Sequence, residues 1–203
     1  DADPSPTLTN QKHGTAVAGV AAATGGNALG VASPAYAASI AGLKVGFSGL
    51  GTSQQFIDAT THRSASADPA QNTIDIKNHS YGIAAPYIDA ASIRAEVSAL
   101  TLSAAAGTLH VLSAGNEGGD ANWKRLQASE NAIVVSATAD DGSLAYYSNF
   151  GANITVTAPS SGGAAGITTT DRTGADGYDA SDYTSTFGGT SSSAPLVAGI
   201  DGA

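Results

Sequence analysis

The sequence predicts an α/β domain of three layers, a mostly parallel central sheet covered by helices on both faces, on three observations. Short β-prone runs of nearly unbroken apolar character recur along the chain, as in strands buried on both sides. Longer segments of helical period separate the first of them. Gly, Pro, Asn or Ser bounds each run, and a strand, helix, strand order implies right-handed crossovers. The 203 residues are 42% apolar and only 12% charged, ample for the core of one domain. Glycine is frequent at 25 residues, yet hydrophobic blocks persist throughout, so the chain reads as folded rather than disordered.

After an irregular acidic opening, residues 16–23 form a small-apolar run that starts at His13-Gly14-Thr15 and stops at Gly25-Gly26. This predicts a helix closed by a glycine cap, with His13 in its first turn. Strands are expected over residues 40–45, 73–77, 109–112, 132–137 and 154–157. Between the first three lie helical segments: Phe56, Ile57 and Thr60 share one face, and Ile93, Val97 and Leu100 another. Residues 160–166 and 168–189, rich in Gly, Ser, Thr and Asp, read as surface loops leading to a last helix at Ser191. No internal repeat or linker divides the chain, and sheets of this kind carry their sites at the carboxyl ends of the strands.

The formal charge of −9, from 17 acidic against 8 basic residues, argues against a nucleic-acid partner, since no Lys/Arg cluster is present to neutralise phosphates. With no cysteine there is no disulfide framework, thiolate nucleophile or Cys-ligated metal. No apolar run approaches the ~20 residues needed to span a bilayer.

Three places carry chemistry. In Gly189-Thr190-Ser191-Ser192-Ser193-Ala194-Pro195 a serine opens an apolar helix whose free N–H groups favour negative charge, so it could attack a carbonyl whose oxyanion the same turn holds. It could equally be a helix cap. His13, in His13-Gly14-Thr15-Ala16-Val17-Ala18-Gly19, starts a helix, where the dipole disfavours the imidazolium and keeps a neutral base; alone it also suits a structural role. Asn116, in Ser113-Ala114-Gly115-Asn116-Glu117-Gly118, follows a buried strand and could donate its amide to an oxyanion or merely form a turn beside glycine.

Taken together and in this order, the three segments resemble the subtilisin-like serine proteases, whose motifs are His-Gly-Thr-x-Val-Ala-Gly, Ala-Gly-Asn-x-Gly and Gly-Thr-Ser-x-x-x-Pro. The resemblance covers nearly the whole chain, including Tyr147-Ser148-Asn149-Phe150-Gly151 and Ala158-Pro159. It implies an endopeptidase acting on protein or peptide substrates through an acyl-enzyme at Ser191, with His13 as general base, Asn116 in the oxyanion hole and no catalytic cofactor. A Gly-x-Ser-x-Gly elbow is absent and the histidine precedes the serine, the reverse of α/β-hydrolases. The opening Asp1-Ala2-Asp3-Pro4-Ser5-Pro6 and the stretch from Ser191 to Gly199 look most like the kexin/furin branch and its bacterial relatives. In this family a substrate strand pairs along Ser80, Tyr81 and Gly82 and along Ser113, Ala114 and Gly115, a form of strand addition. The branch's dibasic preference is not expected, because Ile83-Ala84-Ala85-Pro86 stands where acidic groups would follow. Asp1 and Asp3, and separately Asn27 in Thr24-Gly25-Gly26-Asn27-Ala28-Leu29, resemble calcium loops, with the hard oxygen ligands that ion prefers. His62, His79 and His110 lie outside every motif and are given no catalytic role.

The family's triad also needs an aspartate that ends a strand well upstream of the histidine, whereas only twelve residues precede His13. The last helix stops at Ala203, with Asp201 an odd occupant of an apolar helix. The chain is therefore expected to be a fragment lacking the aspartate-bearing strand and the C-terminal helices. The expected whole is a monomeric, secreted enzyme made with a signal peptide and a propeptide. A peptide-binding pseudoprotease of the same fold is the alternative from another class.

Overall fold

The structure, a computed structural model, describes residues 3–46, 52–64, 73–82 and 91–203. Its principal elements are α1 (His13–Ala22), α2 (Thr52–Thr61), β1 (Ile76–His79), α3 (Ala91–Ala105), β2 (Leu109–Ser113), β3 (Ile133–Thr138), β4 (Val156–Pro159), β5 (Ile167–Thr170), β6 (Tyr183–Phe187) and α4 (Thr190–Asp201). Strands β1 to β4 form one parallel sheet in chain order, with Ile76 opposite Leu109, Val111 opposite Ile133 and Val135 opposite Val156. Their apolar cores carry them through the sheet interior, and α4 covers one face, packing Ala194, Val197 and Ala198 on Val111, Val135 and Ala158. Because side chains alternate along a strand, His110 and Leu112 point to the opposite face, where α3 packs on β2 and α2 on α3.

Four differences from the sequence expectation have physical causes. Residues 40–45 form no strand: Ile40 is 56% and Leu43 37% exposed, and among the described residues no strand pairs with them. Apolar content favours a strand only where a neighbour completes the ladder. β1 starts at Ile76 and runs on to His79, later than expected, because His110 and Leu112 give Lys77 and His79 partners in register. α1 ends in an extended Ala23 rather than a glycine cap; the Ala23 N–H reaches Ser33 Oγ at 2.9 Å, and that hydroxyl donates to Gly19 O. The expected loop 168–189 contains the antiparallel β5 and β6, which the β-branched Ile167-Thr168-Thr169-Thr170 and Tyr183-Thr184-Ser185-Thr186 favour.

Candidate active site

Three strand ends and two helix starts converge on one edge of the sheet. His13 occupies the first turn of α1, which β5 and α4 wedge between them. Thr170 Oγ1 donates to Thr15 O at 2.9 Å and Thr169 Oγ1 to Ala16 O at 2.8 Å, so hydroxyls of β5 fasten the helix start. On the other side Gly199 of α4 lies so close that a Cβ there would sit 2.5 Å from Ala21 O. The imidazole is delivered edge-on to Phe187, 5.5 Å between centroids, and burial lowers its pKa, favouring a neutral ring. Among the described residues no carboxylate bonds either ring nitrogen.

Ser191 lies in the first turn of α4, after Gly189, whose φ of 74° is the left-handed conformation that glycine tolerates. It is laced to the end of β1: Ser80 Oγ donates to Ser191 O at 3.0 Å, and Ser191 Oγ to Ser80 O at 3.4 Å. Asn116 follows β2. Its Oδ1 accepts from Thr190 N at 2.8 Å and from Thr190 Oγ1 at 2.9 Å, while Thr190 Oγ1 itself accepts from Gly115 N at 3.1 Å. With its oxygen held twice, Asn116 leaves the Nδ2 hydrogens without an acceptor among the described residues, beside the Ser191 turn. A Cβ on Gly189 would lie 3.1 Å from that nitrogen, so only glycine leaves the amide room.

Residues outside the expected set hold this arrangement. Asn149 is fully buried and spends its side chain on the loop after β2: Nδ2 donates to Ala114 O at 2.9 Å and Glu117 Oε2 at 2.7 Å, and Oδ1 accepts from Gly119 N at 2.9 Å. Lys124 Nζ meets the same Glu117 Oε2 at 2.8 Å. Burial would raise the Glu117 pKa, but the Lys124 and Asn149 hydrogen bonds outweigh it and the net shift is downward. Beneath the Ser191 turn, the Ser160 and Ser192 hydroxyls reach Gly189 O at 2.8 and 3.0 Å. Asn149 and Thr190 stand inside quoted motifs, and that is the only sequence signal they give.

Of the substrate segments, residues 80–82 continue from the end of β1. Residues 113–115 line the site without offering a free ladder: Ala114 N donates to Val135 O at 2.9 Å, Ala114 O accepts from Asn149, and Gly115 N and O are bonded to Thr190 and to Asn149 N. The backbone groups of Ala114 and Gly115 are thus engaged within the chain, and that segment lines the site as a wall. Asp3 Oδ1 accepts from Ser5 N at 2.9 Å and Asn27 Oδ1 from Leu29 N at 3.0 Å, so both expected calcium oxygens close local turns. Among the described residues no group of three acidic or histidine side chains converges on a metal position. Asp1 and residues 83–86 lie outside the described residues.

His13 thus opens α1, Ser191 lies in the first turn of α4 and Asn116 follows β2, with α4 packed on both α1 and β2. The chain belongs to the subtilase family, peptidase S8, whose profile matches residues 1–202. It is 33% identical over 199 residues to an extracellular protease of Xanthomonas campestris pv. campestris, a match covering 96% of this chain and 33% of that protein. It is 36% identical over 107 residues to a calcium-dependent protease of Trichormus variabilis, covering 46% of this chain and 16% of that one. The chain thus spans a third or less of these relatives' length. A solved protease of Pseudoalteromonas arctica superposes with a TM-score of 0.75 at 29% identity, over 94% of this chain and 57% of its own. The fold is accordingly the subtilisin-like α/β fold. Among the described residues no helix is long and apolar enough to cross a membrane.

Proposed function

We propose that the chain is the catalytic portion of a serine endopeptidase in which Ser191 is the nucleophile, His13 the general base and Asn116 an oxyanion donor. The observation that carries this reading is the double grip of Thr190 on Asn116 Oδ1, which turns the free amide hydrogens toward the Ser191 turn. Ser191 Oγ attacks the scissile carbonyl as its proton passes to the neutral imidazole. The carbonyl oxygen becomes an oxyanion facing Asn116 Nδ2 and the first N–H groups of α4. The imidazolium then protonates the leaving amine, and water, deprotonated by the same ring, releases the acyl group. An extended peptide running along residues 80–82 would present its carbonyl to Ser191.

Treatment with a serine-directed fluorophosphonate followed by peptide mapping tests this. Labelling at Ser191 of the full-length protein, absent in Ser191→Ala, is expected; a folded full-length protein that stays unlabelled would point to the peptide-binding pseudoprotease. One observation favours that second reading: the Ser191 hydroxyl donates to Ser80 O at 3.4 Å.

Secretion is part of the proposal, supported by the extracellular relative. Calcium at the Asp3 or Asn27 loop is supported by the calcium-dependent relative and by the exposure of both residues, whose Oδ1 atoms each already accept one local N–H. The two side chains would serve as hard ligands holding loop geometry and take no part in the chemistry. A lower melting temperature in EDTA, restored by Ca²⁺ and blunted in Asn27→Ala, is the expected sign.

A further inference from the structure

On the face of the sheet opposite α4, directly behind residues 80–82, two histidines outside every motif are buried together. His79 is 5% and His110 0% exposed. His79 Nε2 meets His110 Nδ1 at 2.9 Å, and His79 Nδ1 meets the Tyr81 hydroxyl at 2.6 Å. Tyr81 is the middle residue of the proposed substrate segment, and its ring stacks on Phe56 of α2 at 4.7 Å between centroids. At the far end of the chain of bonds, His110 Nε2 is buried without a partner.

We propose that His79 and His110 are positioning residues, a proton-sensitive strut that fixes Tyr81 and with it residues 80–82, and that protonation of the pair in acid releases this segment. The consequence for substrate rests on the peptide-binding role proposed above for residues 80–82.

The hydrogen bonds give the reason. Only one proton fits between His79 Nε2 and His110 Nδ1, so a doubly protonated pair sets N–H against N–H and cannot keep its contact. Among the described residues, charge on either ring also finds no counter-ion. From β1 Lys77 adds a positive charge beside both rings. From the end of α2 and the turn after it come only acceptors for Lys77 Nζ: Thr60 O and His62 O at 2.6 Å, and Ser64 Oγ at 3.1 Å. From α3 the Glu96 carboxylate, bonded to Ser53 Oγ at 2.8 Å, acts on Tyr81, whose pKa burial and that carboxylate raise. Burial and these neighbours hold His79 down to about 3 and His110 to about 4, against 6.5 for a free imidazole. Lowered pKa values mean that the released state binds the protons first. Its weight therefore grows as pH falls below 6.5, by up to about tenfold per pH unit for each histidine and about a hundredfold for both, until the folded pair itself titrates.

The test follows the backbone amide signals of residues 80–82 and the imidazole ¹⁵N signals of the whole chain by NMR from pH 8 down to about pH 2.5, past the values of both buried rings. Both buried imidazoles are expected to stay neutral well below pH 6.5, and the signals of Ser80, Tyr81 and Gly82 to shift with their protonation while β3 signals hold. H79L/H110L is expected to remove that shift. If that variant does not fold, Tyr81→Phe decides: it deletes only the hydroxyl, so the imidazoles should titrate as before while residues 80–82 cease to follow them. Ordinary titration near 6.5, unchanged signals at residues 80–82 during imidazole protonation, or loss of the β3 signals at the same pH would overturn the proposal. Fluorophosphonate labelling of Ser191 at pH 7.5 judges the protease reading separately, since the NMR titration needs no turnover.

Discussion

Beneath α4 the sheet is dry: Val111, Val135 and Ala158 meet Ala194, Val197 and Ala198, each at most 9% exposed. Across the same strands the core turns polar, with Lys77, His79, His110, Thr60 and Ser103 buried to a similar degree. An apolar seam gains by area alone and is indifferent to pH. A polar one holds only while each buried group keeps a specific partner in a specific protonation state. The apolar seam lies under α4 beyond the Ser191 turn and fixes the helix position. The polar seam lies behind residues 80–82, so the same fold pairs a rigid wall with a titratable one.

On the dry side, Asn116→Ala is expected to cost the most, about 10²–10³ in turnover with the protein still folded. That magnitude is the one known for the corresponding donor in subtilisin itself, not one obtained from this geometry. Gly199→Ala should come next. Its methyl would stand 2.5 Å from Ala21 O, a backbone atom that can yield only if α1 shifts and carries His13 with it. A misplacement of about 1 Å is worth on the order of 10² in kcat, so kcat should fall far more than KM rises, with a lower melting temperature. An unchanged kcat would show that α1 reaches its place without the close contact to α4.

On the polar side the expected effects are smaller and depend on pH. Lys77 Nζ closes the end of α2 by donating to Thr60 O and His62 O, and Lys77→Met strands those carbonyls at a cost of about 1–3 kcal/mol near pH 7. Burial lowers the Lys77 pKa from 10.5 to about 8. Between those values the unfolded chain holds a proton that the folded chain has released, so raising the pH favours the folded state. Denaturant titrations should therefore show the wild type gaining on Lys77→Met from pH 8 to 10.5, by on the order of 3 kcal/mol. A gap that does not vary with pH would mean that the amine titrates as if exposed.

The contrast also explains what could be read in the sequence. β2, β3 and β4 were legible because each carries apolar residues, Val111, Val135 and Ala158, that face the α4 seam. Ser191, His13 and Asn116 stood out because each lies within a motif. β1 was misplaced because Asn78 and His79 look unlike a strand interior; its register is set by β2 rather than by local preference. The roles of Thr190 and His79 were not legible, since the hydroxyl's partner Asn116 is 74 residues away and His110 is 31 residues from His79. Residues 40–45 failed in the opposite sense, with the composition of a strand and no described neighbour to pair with.

The smallest effect is expected where the two kinds of core meet, at the hydroxyls under the Ser191 turn. Gly189 O accepts from Ser160 Oγ at 2.8 Å and Ser192 Oγ at 3.0 Å, and the two hydroxyls lie 2.8 Å apart. Tyr147 OH touches Ser160 but donates to Ser161 O at 2.7 Å, so it keeps a partner when Ser160 is removed. Ser160→Ala alone should then cost about 0.5–1.5 kcal/mol and change the labelling rate of Ser191 only a few-fold, because Ser192 still holds the carbonyl. S160A/S192A leaves that carbonyl with no hydroxyl and should cost more than the two single changes together, a coupling of about 0.5 kcal/mol or more in a double-mutant cycle. Strict additivity would mean that the Ser192 N–H, 3.0 Å from Gly189 O, or water satisfies the carbonyl once the hydroxyls are gone.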